Sequence, residues 1–304
     1  MAEKRIYDSI IIGAGPGGLQ AAIYLGRYRR DVLLIDRTGG RTWHAKHIEN
    51  FLSQKLITGE EIITKGMEQA KSFGVKIEKG KVTSVTKRDH FEVQTEKDVY
   101  HSLFVIVSSG VYDILPPVEN LYSFFGTSFF TCVDCDGYRT TGKKMVILGN
   151  DIEAVNHAFA MREMYTPDIT VILDSPRIPP EYEEELKDEN IRFVAGRPVR
   201  LVGKENLEAV ELDNGHRIAC EVIMSTYGYH RNDDFLSGLP LKRNPGGYFI
   251  TDPHYESSLS GLYIVGPLNT GHDQVVIAAG EGAVAAIELN KRLIERKKMA
   301  YFLE

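Results

Sequence analysis

Cysteine is scarce in this chain, with three in 304 residues. That excludes a disulfide-stapled secreted scaffold and predicts a reducing, cytoplasmic setting. Apolar runs of about 18 residues, the length of a membrane span, are missing, so no spanning helix is expected. Excess basic charge is missing as well; a net charge of −6 argues against a general nucleic-acid binder. Low-complexity tracts are absent. Met1-Ala2-Glu3-Lys4-Arg5 leads straight into a strand pattern, so no signal peptide is expected. What remains is the composition of an ordinary globular protein, 43% hydrophobic and 26% charged. The length allows two compact domains.

Two glycine turns dominate what is present. The first, Gly13-Ala14-Gly15-Pro16-Gly17-Gly18, follows Ile10-Ile11-Ile12 and opens a helical pattern at Leu19. This is the dinucleotide-binding fingerprint in its strand–turn–helix setting. Val32-Leu33-Leu34-Ile35-Asp36 closes that βαβ unit, and Asp36 stands where an acid accepts hydrogen bonds from a ribose hydroxyl. The second turn, Gly149-Asn150-Asp151-Ile152-Glu153-Ala154, follows Met145-Val146-Ile147-Leu148. Asp151 replaces its middle glycine, and a carboxylate there occludes the site and repels phosphate. One dinucleotide is expected to bind and the other site to be lost.

The patterns between and after these turns predict an α/β protein of two Rossmann-like (three-layer ββα/βαβ) domains. A helix is expected from Gly59 to Phe73, short strands from Val75 to Val99 and a buried strand over Leu103–Val107. Pro116-Pro117 marks a hinge, because two prolines stop both helix and ladder. A second βαβ unit runs from Lys144 to Asp174, and Asn244-Pro245-Gly246-Gly247 marks the return. Gly261–Gly266 reads as strand and Val275–Arg296 as one long helix. One discontinuous domain (1–114 and 246–304) is therefore expected to carry an inserted one (117–243).

Further features surround the first turn. Gly39-Gly40 follows the acidic strand end, Glu49-Asn50 comes later, and Ser108-Ser109-Gly110 ends a returning strand. Gly266 precedes a loop ending in His272-Asp273-Gln274, where the long helix begins; free amides there can stabilise negative charge. Cys132-Val133-Asp134-Cys135-Asp136-Gly137 lies before the second turn. Two cysteines three apart at a helix start can close an easily reduced ring, and the helix N-terminus favours the attacking thiolate. Asp136 is placed to exchange a proton with a leaving thiol. The alternatives are a zinc half-site, for which the only candidate second pair, His44 and His47, falls in the region of the first glycine turn's site, or inert cysteines. Cys220 reads as a small buried hydrophobe. Arg27-Tyr28-Arg29-Arg30, Lys143-Lys144 and Arg296-Lys297-Lys298 read as solvated faces or as docking for an acidic protein. Trp43 fits core packing and a ring site equally.

Taken together, the glycine turn, Glu49-Asn50, the Cys-x-x-Cys-Asp-Gly element and Gly280-Glu281-Gly282-Ala283-Val284-Ala285-Ala286 resemble the low-molecular-weight thioredoxin reductase family over nearly the whole chain. The resemblance implies FAD as cofactor, a homodimer and thioredoxin or a similar protein as partner. It implies Cys132, Cys135 and Asp136 as the catalytic group. It also implies a flavin site at Gly13, Gly15, Pro16, Gly17, Gly18, Asp36, Arg37, Gly40, Arg41, Asn50, Val82, Ser109, Gly110, Gly266, Gln274 and Val275, with no metal. Two departures follow. Asp151 and the absence of a basic cluster after Leu173 resemble a branch independent of pyridine nucleotides, with ferredoxin as the expected donor. Pro267 stands where the family has an aspartate reaching the ribityl chain. A flavin dithiol oxidase using oxygen and a non-enzymatic flavin redox sensor are the alternatives. Tyr301-Phe302 reads as a frayed terminus or as a cover for an exposed flavin face.

Overall fold

The computed structural model of the chain describes residues 5–174 and 178–301, with backbone alone at 300 and 301. It divides into two compact units, Met1–Tyr112 with His230–Glu304, and Asp113–Tyr229.

In the first unit, β1 (Ile6–Ile12), α1 (Pro16–Arg27) and β2 (Val32–Asp36) form the opening βαβ. Parallel strands run in the order Lys76–Lys79, β2, β1, Val99–Val107, and an antiparallel extension through Phe91–Thr95 ends at Val82–Lys87. Leu262–Ile264 pairs with the C-terminal half of Val99–Val107. The central strands read as apolar runs because both faces are covered, and Ile10, Ile11, Leu33, Leu34, Val105 and Ile106 are fully buried.

Glycines set how closely α1 can lie to the long helix Val275–Tyr301. A Cβ on Gly282 would stand 2.0 Å from the Gly17 carbonyl oxygen, and one on Gly17 would stand 2.9 Å from the Ala278 oxygen. Both obstacles are backbone, so the helices would have to move apart. Gly282→Ala is expected to cost about 1–3 kcal/mol, read as a lower Tm. An unchanged Tm would show that this crossing has slack.

In the second unit, β3 (Met145–Gly149), α2 (Glu153–Met164) and β4 (Ile169–Leu173) repeat the pattern. The sheet is parallel, in the order Arg192–Ala195, β4, β3, Val222–Ser225, Phe129–Phe130. A separate antiparallel sheet of Pro198–Gly203, Leu207–Leu212 and Arg217–Ala219 shares an apolar cluster with Val146, Leu148, Ile172 and Ile223 of the parallel sheet. The architecture is α/β with Rossmann-like sheets, as the patterns predicted.

The return to the first unit differs from the proline and glycine reading, which put residues 230–243 in the inserted domain. Asn232 donates its backbone N–H to Gly110 O at 3.0 Å, and Lys242 O accepts from Ile250 N. Asn244-Pro245-Gly246-Gly247 is the tip of a hairpin, bridged by Arg243 and Phe249 and closed by Asn244 Oδ1 on Tyr248 N. It is a turn inside the first unit rather than a boundary. Among the described residues no helix is long and apolar enough to cross a membrane.

Candidate functional site

The cleft of the first unit opens at the C-terminal ends of β1 and β2, where open α/β sheets bind their ligands. Its volume is about 830 Å³. Gly13 sits at φ +102°, and a Cβ on it would lie 2.4 Å from Ser108 O, so the turn and the end of Val99–Val107 touch backbone to backbone. A Cβ on Gly18 would fall 2.0 Å from Gly13 O, so this glycine lets α1 start beneath the turn. Gly15 differs. A Cβ there would meet only Ser108, at 3.7 Å or more. The space in front of Gly15 is therefore open to the cleft, as the close approach of a pyrophosphate requires.

Every flavin-site residue expected from the sequence lines this cleft except Gly18 and Asn50. Gly18 serves packing, and Asn50 acts one step behind the wall, donating to Gln274 Oε1 at 3.0 Å. Asp36 accepts from Ala14 N at 2.9 Å and Thr38 N at 2.7 Å, so its carboxylate braces the turn from both oxygens. Arg41 pairs with Asp273 just before the long helix. Trp43 both lines the cleft and packs against the core. The charges around the cleft nearly balance. Arg37, Arg41, Lys71 and Lys81 face Asp36, Glu68, Asp233, Asp234 and Asp273. The aromatic tail falls outside the residues whose side chains are described.

Pro267 begins a short helix, Pro267–Thr270, after Gly266 at φ +80°. A residue of the Gly280–Ala286 element, to which the sequence assigned no role, holds this turn. Glu281, 3% exposed, accepts from Gly266 N and from Asn269 Nδ2 at 3.1 Å. Burial pushes the Glu281 carboxyl above the usual carboxylate range, against the opposing pull of those two donors and of His272. A raised folded-state value favours protonation, so its stability contribution is full below the ordinary glutamate range. That contribution fades as pH rises through the folded value. Glu281→Gln keeps an acceptor and removes the titration. Its Tm advantage over the parent is expected to grow from about pH 4 to about pH 7.5, and a pH-independent difference would remove Glu281 from this role.

In the second unit, Cys132 and Cys135 are joined as a disulfide. Cys132 precedes a single helical turn, Val133–Asp136, and its Sγ accepts from Cys135 N at 3.1 Å. The expected helix thus shrinks to one turn, with the Cys135 N–H directed at the Cys132 sulfur. Asp136 pairs with Arg139 Nε at 3.4 Å. Gly137 leaves room for the Tyr165 ring, which a Cβ would meet at 2.6 Å. Among the described residues no cluster of ligands fits a metal, and His44 and His47 lie in the other unit.

In the second glycine turn a side chain caps the following helix. Asp151 Oδ1 accepts from Glu153 N at 3.0 Å, taking the helix-end N–H that a phosphate would use. At the end of β4, Asp174 accepts from the Tyr227 hydroxyl at 3.0 Å. Burial, then the nearby Asp174 carboxylate, raises the Tyr227 phenol well above its ordinary value, so it stays a donor. Tyr227 carried no signal in the sequence.

Residues 7–282 match the family described as pyridine nucleotide-disulphide oxidoreductase. The chain belongs to that family. A thioredoxin reductase of Mycoplasmopsis pulmonis is 30% identical, covering 96% of this chain and 99% of the relative. The crystal structure of HlmI superposes with a TM-score of 0.92 at 25% identity, covering 99% and 98% of the two chains. A putative thioredoxin reductase of Bacillus anthracis shares the fold, with a TM-score of 0.87 at 24% identity over 96% and 99%. This member of the pyridine nucleotide-disulphide oxidoreductase family is thus a thioredoxin reductase-like disulfide oxidoreductase.

Proposed function

We propose that the protein is an FAD enzyme that exchanges electrons with a protein disulfide through Cys132 and Cys135 and takes no electrons from NADH or NADPH. The observation that carries this reading is Asp151 on the Glu153 amide at the head of α2, with Tyr227 holding Asp174. FAD fits the first cleft by its volume and by the open space in front of Gly15. Gly13, Gly15, Gly17, Asp36, Arg37 and the start of the long helix would hold it. When bound, FAD supplies an electron pair to the disulfide or receives one from the dithiol.

The chain's own sulfurs do the rest. The disulfide takes up two electrons and two protons to give two thiols. The Cys132 thiolate, favoured by the Cys135 N–H, attacks a partner disulfide and forms a mixed disulfide. Cys135 then attacks Cys132, reforming the internal bond and releasing the partner as a dithiol. We assign the partner as thioredoxin or a similar protein, the enzyme as a cytoplasmic homodimer, and the donor as a one-electron protein of the ferredoxin type.

A second reading has its own support. The basic runs Arg27–Arg30 and Arg296–Lys298 lie at the C-terminal ends of two helices whose N-terminal ends face the cleft. About 30 Å of helix separates Arg296 from Val275 at the cleft. With cleft charges nearly balanced, electrostatic steering of an acidic donor to the flavin is weak. That favours a small dithiol as donor and oxygen as acceptor, the reverse flow through the same cysteines. Anaerobically photoreduced holoenzyme is expected to reduce oxidised thioredoxin stoichiometrically without nucleotide. Hydrogen peroxide formed from a small dithiol in air, with thioredoxin left oxidised, would replace the first reading by the second.

A further inference from the structure

Asn232 enters the first unit just after the chain returns to it, and its hydrogen-bonding groups are spent on the cleft. Its side-chain Nδ2 donates to Ser109 O at 3.0 Å, and its backbone oxygen accepts from Ser109 Oγ at 2.6 Å. Its backbone N–H binds Gly110 O. One group faces the other way: Asn232 Oδ1 accepts from Arg37 Nη2 at 3.1 Å. Ser109 and Gly110 end the strand Val99–Val107, while Arg37 follows β2. Asn232 therefore ties the ends of two strands that are not neighbours in the sheet, since β1 lies between them.

The Arg37 side chain is otherwise exposed at the cleft edge, beside Asp36. An unrestrained arginine loses much rotamer freedom on meeting a ligand. With one nitrogen held by Asn232 Oδ1, its remaining N–H groups and its planar face stay presented to whatever lies at the end of β2. In this fold the end of β2 meets the ribose of the adenosine half of a dinucleotide. The start of the long helix, at Gln274 and Val275, would hold the isoalloxazine half instead.

We propose that Asn232 is a positioning residue that holds Arg37 for the adenosine-phosphate half of FAD, so that the pair selects FAD over FMN. The proposal rests on the FAD reading above. It adds a discrimination that the glycine turn does not supply, because FAD and FMN would both offer a phosphate to such a turn.

The test is flavin binding to apoprotein, followed by fluorescence quenching, with FAD and FMN as separate probes. Asn232→Ala is expected to weaken FAD about tenfold, the loss typical of a charge-assisted hydrogen bond, and to leave FMN unchanged. Arg37→Ala should do the same, and because its side chain is exposed it serves even if Asn232→Ala fails to fold. In the double variant the loss should be no larger than in Arg37→Ala alone, since Asn232 acts through Arg37. Equal weakening of FAD and FMN by Asn232→Ala, or additive losses in the double variant, would reduce Asn232 to a structural tie and overturn the proposal. Failure of the parent apoprotein to bind FAD at all would instead sink the cofactor reading.

Discussion

Replacing either Cys132 or Cys135 with serine is expected to lower disulfide-exchange turnover by on the order of 10³ or more, with flavin binding and fold intact. Serine conserves size and the hydrogen bond from the Cys135 amide to position 132. What it removes is a sulfur that can form and break an S–S bond. Either single thiol could still be captured as a mixed disulfide, but resolution requires its neighbour. Cys220 cannot stand in. It is 2% exposed, and burial pushes its thiol up to about 12, so its thiolate is scarce at neutral pH. The flavin cleft is built from the other unit, which is why absorbance of bound flavin should be unchanged. Cys220→Ser is expected to turn over at the parent rate. Near-normal turnover in Cys132→Ser, or loss in Cys220→Ser, would reassign the working sulfurs.

Much of the fold was legible because its signals are local. Ile10–Ile12 before Gly13, and Met145–Leu148 before Gly149, are apolar runs ending in a glycine turn, and that pattern needs no tertiary information. Part of the cleft was legible for the same reason, since Gly13–Gly17, Asp36–Arg37 and Ser109–Gly110 follow strand ends, whereas Ile63, Met67 and Lys71 enter it from the helix Gly59–Ser72 and gave no such signal. What the sequence hid depends on distant partners. Asn232 looks like any polar loop residue until Ser109 and Arg37 stand beside it. Glu281 looks like a helix-surface acid, yet it is buried because Gly266 and Asn269 supply donors from a turn a dozen or more residues earlier. Tyr227 follows an apolar strand and announces nothing until Asp174 arrives from β4. The Asn244–Gly247 turn misled for the converse reason. A strong local turn signal marks a reversal of direction, and whether that reversal is a domain boundary depends on what the hairpin packs against.

Neither NADPH nor NADH is expected to bleach the flavin of the anaerobic holoenzyme appreciably, even at about millimolar concentration. A pyrophosphate at the head of α2 would need the Glu153 amide, which Asp151 already holds, and would meet a like charge in place of a glycine. A ribose at the end of β4 would compete with the half-buried Tyr227 hydroxyl for Asp174 Oδ1. Displacing the charge-assisted Asp151 bond costs about 1.5–3 kcal/mol, which weakens binding on the order of 10- to 10²-fold. Like-charge repulsion adds to that loss and is partly screened by salt, so raising ionic strength should not restore reduction by more than a small factor. Stopped-flow absorbance of the flavin band, with photoreduction as the positive control, reads the rate directly. Rapid bleaching by either nucleotide would mean that Asp151 swings off the helix and that the second site works as the family name implies. Bleaching by photoreduction alone would leave the two closed contacts as the reason this chain must find its electrons elsewhere.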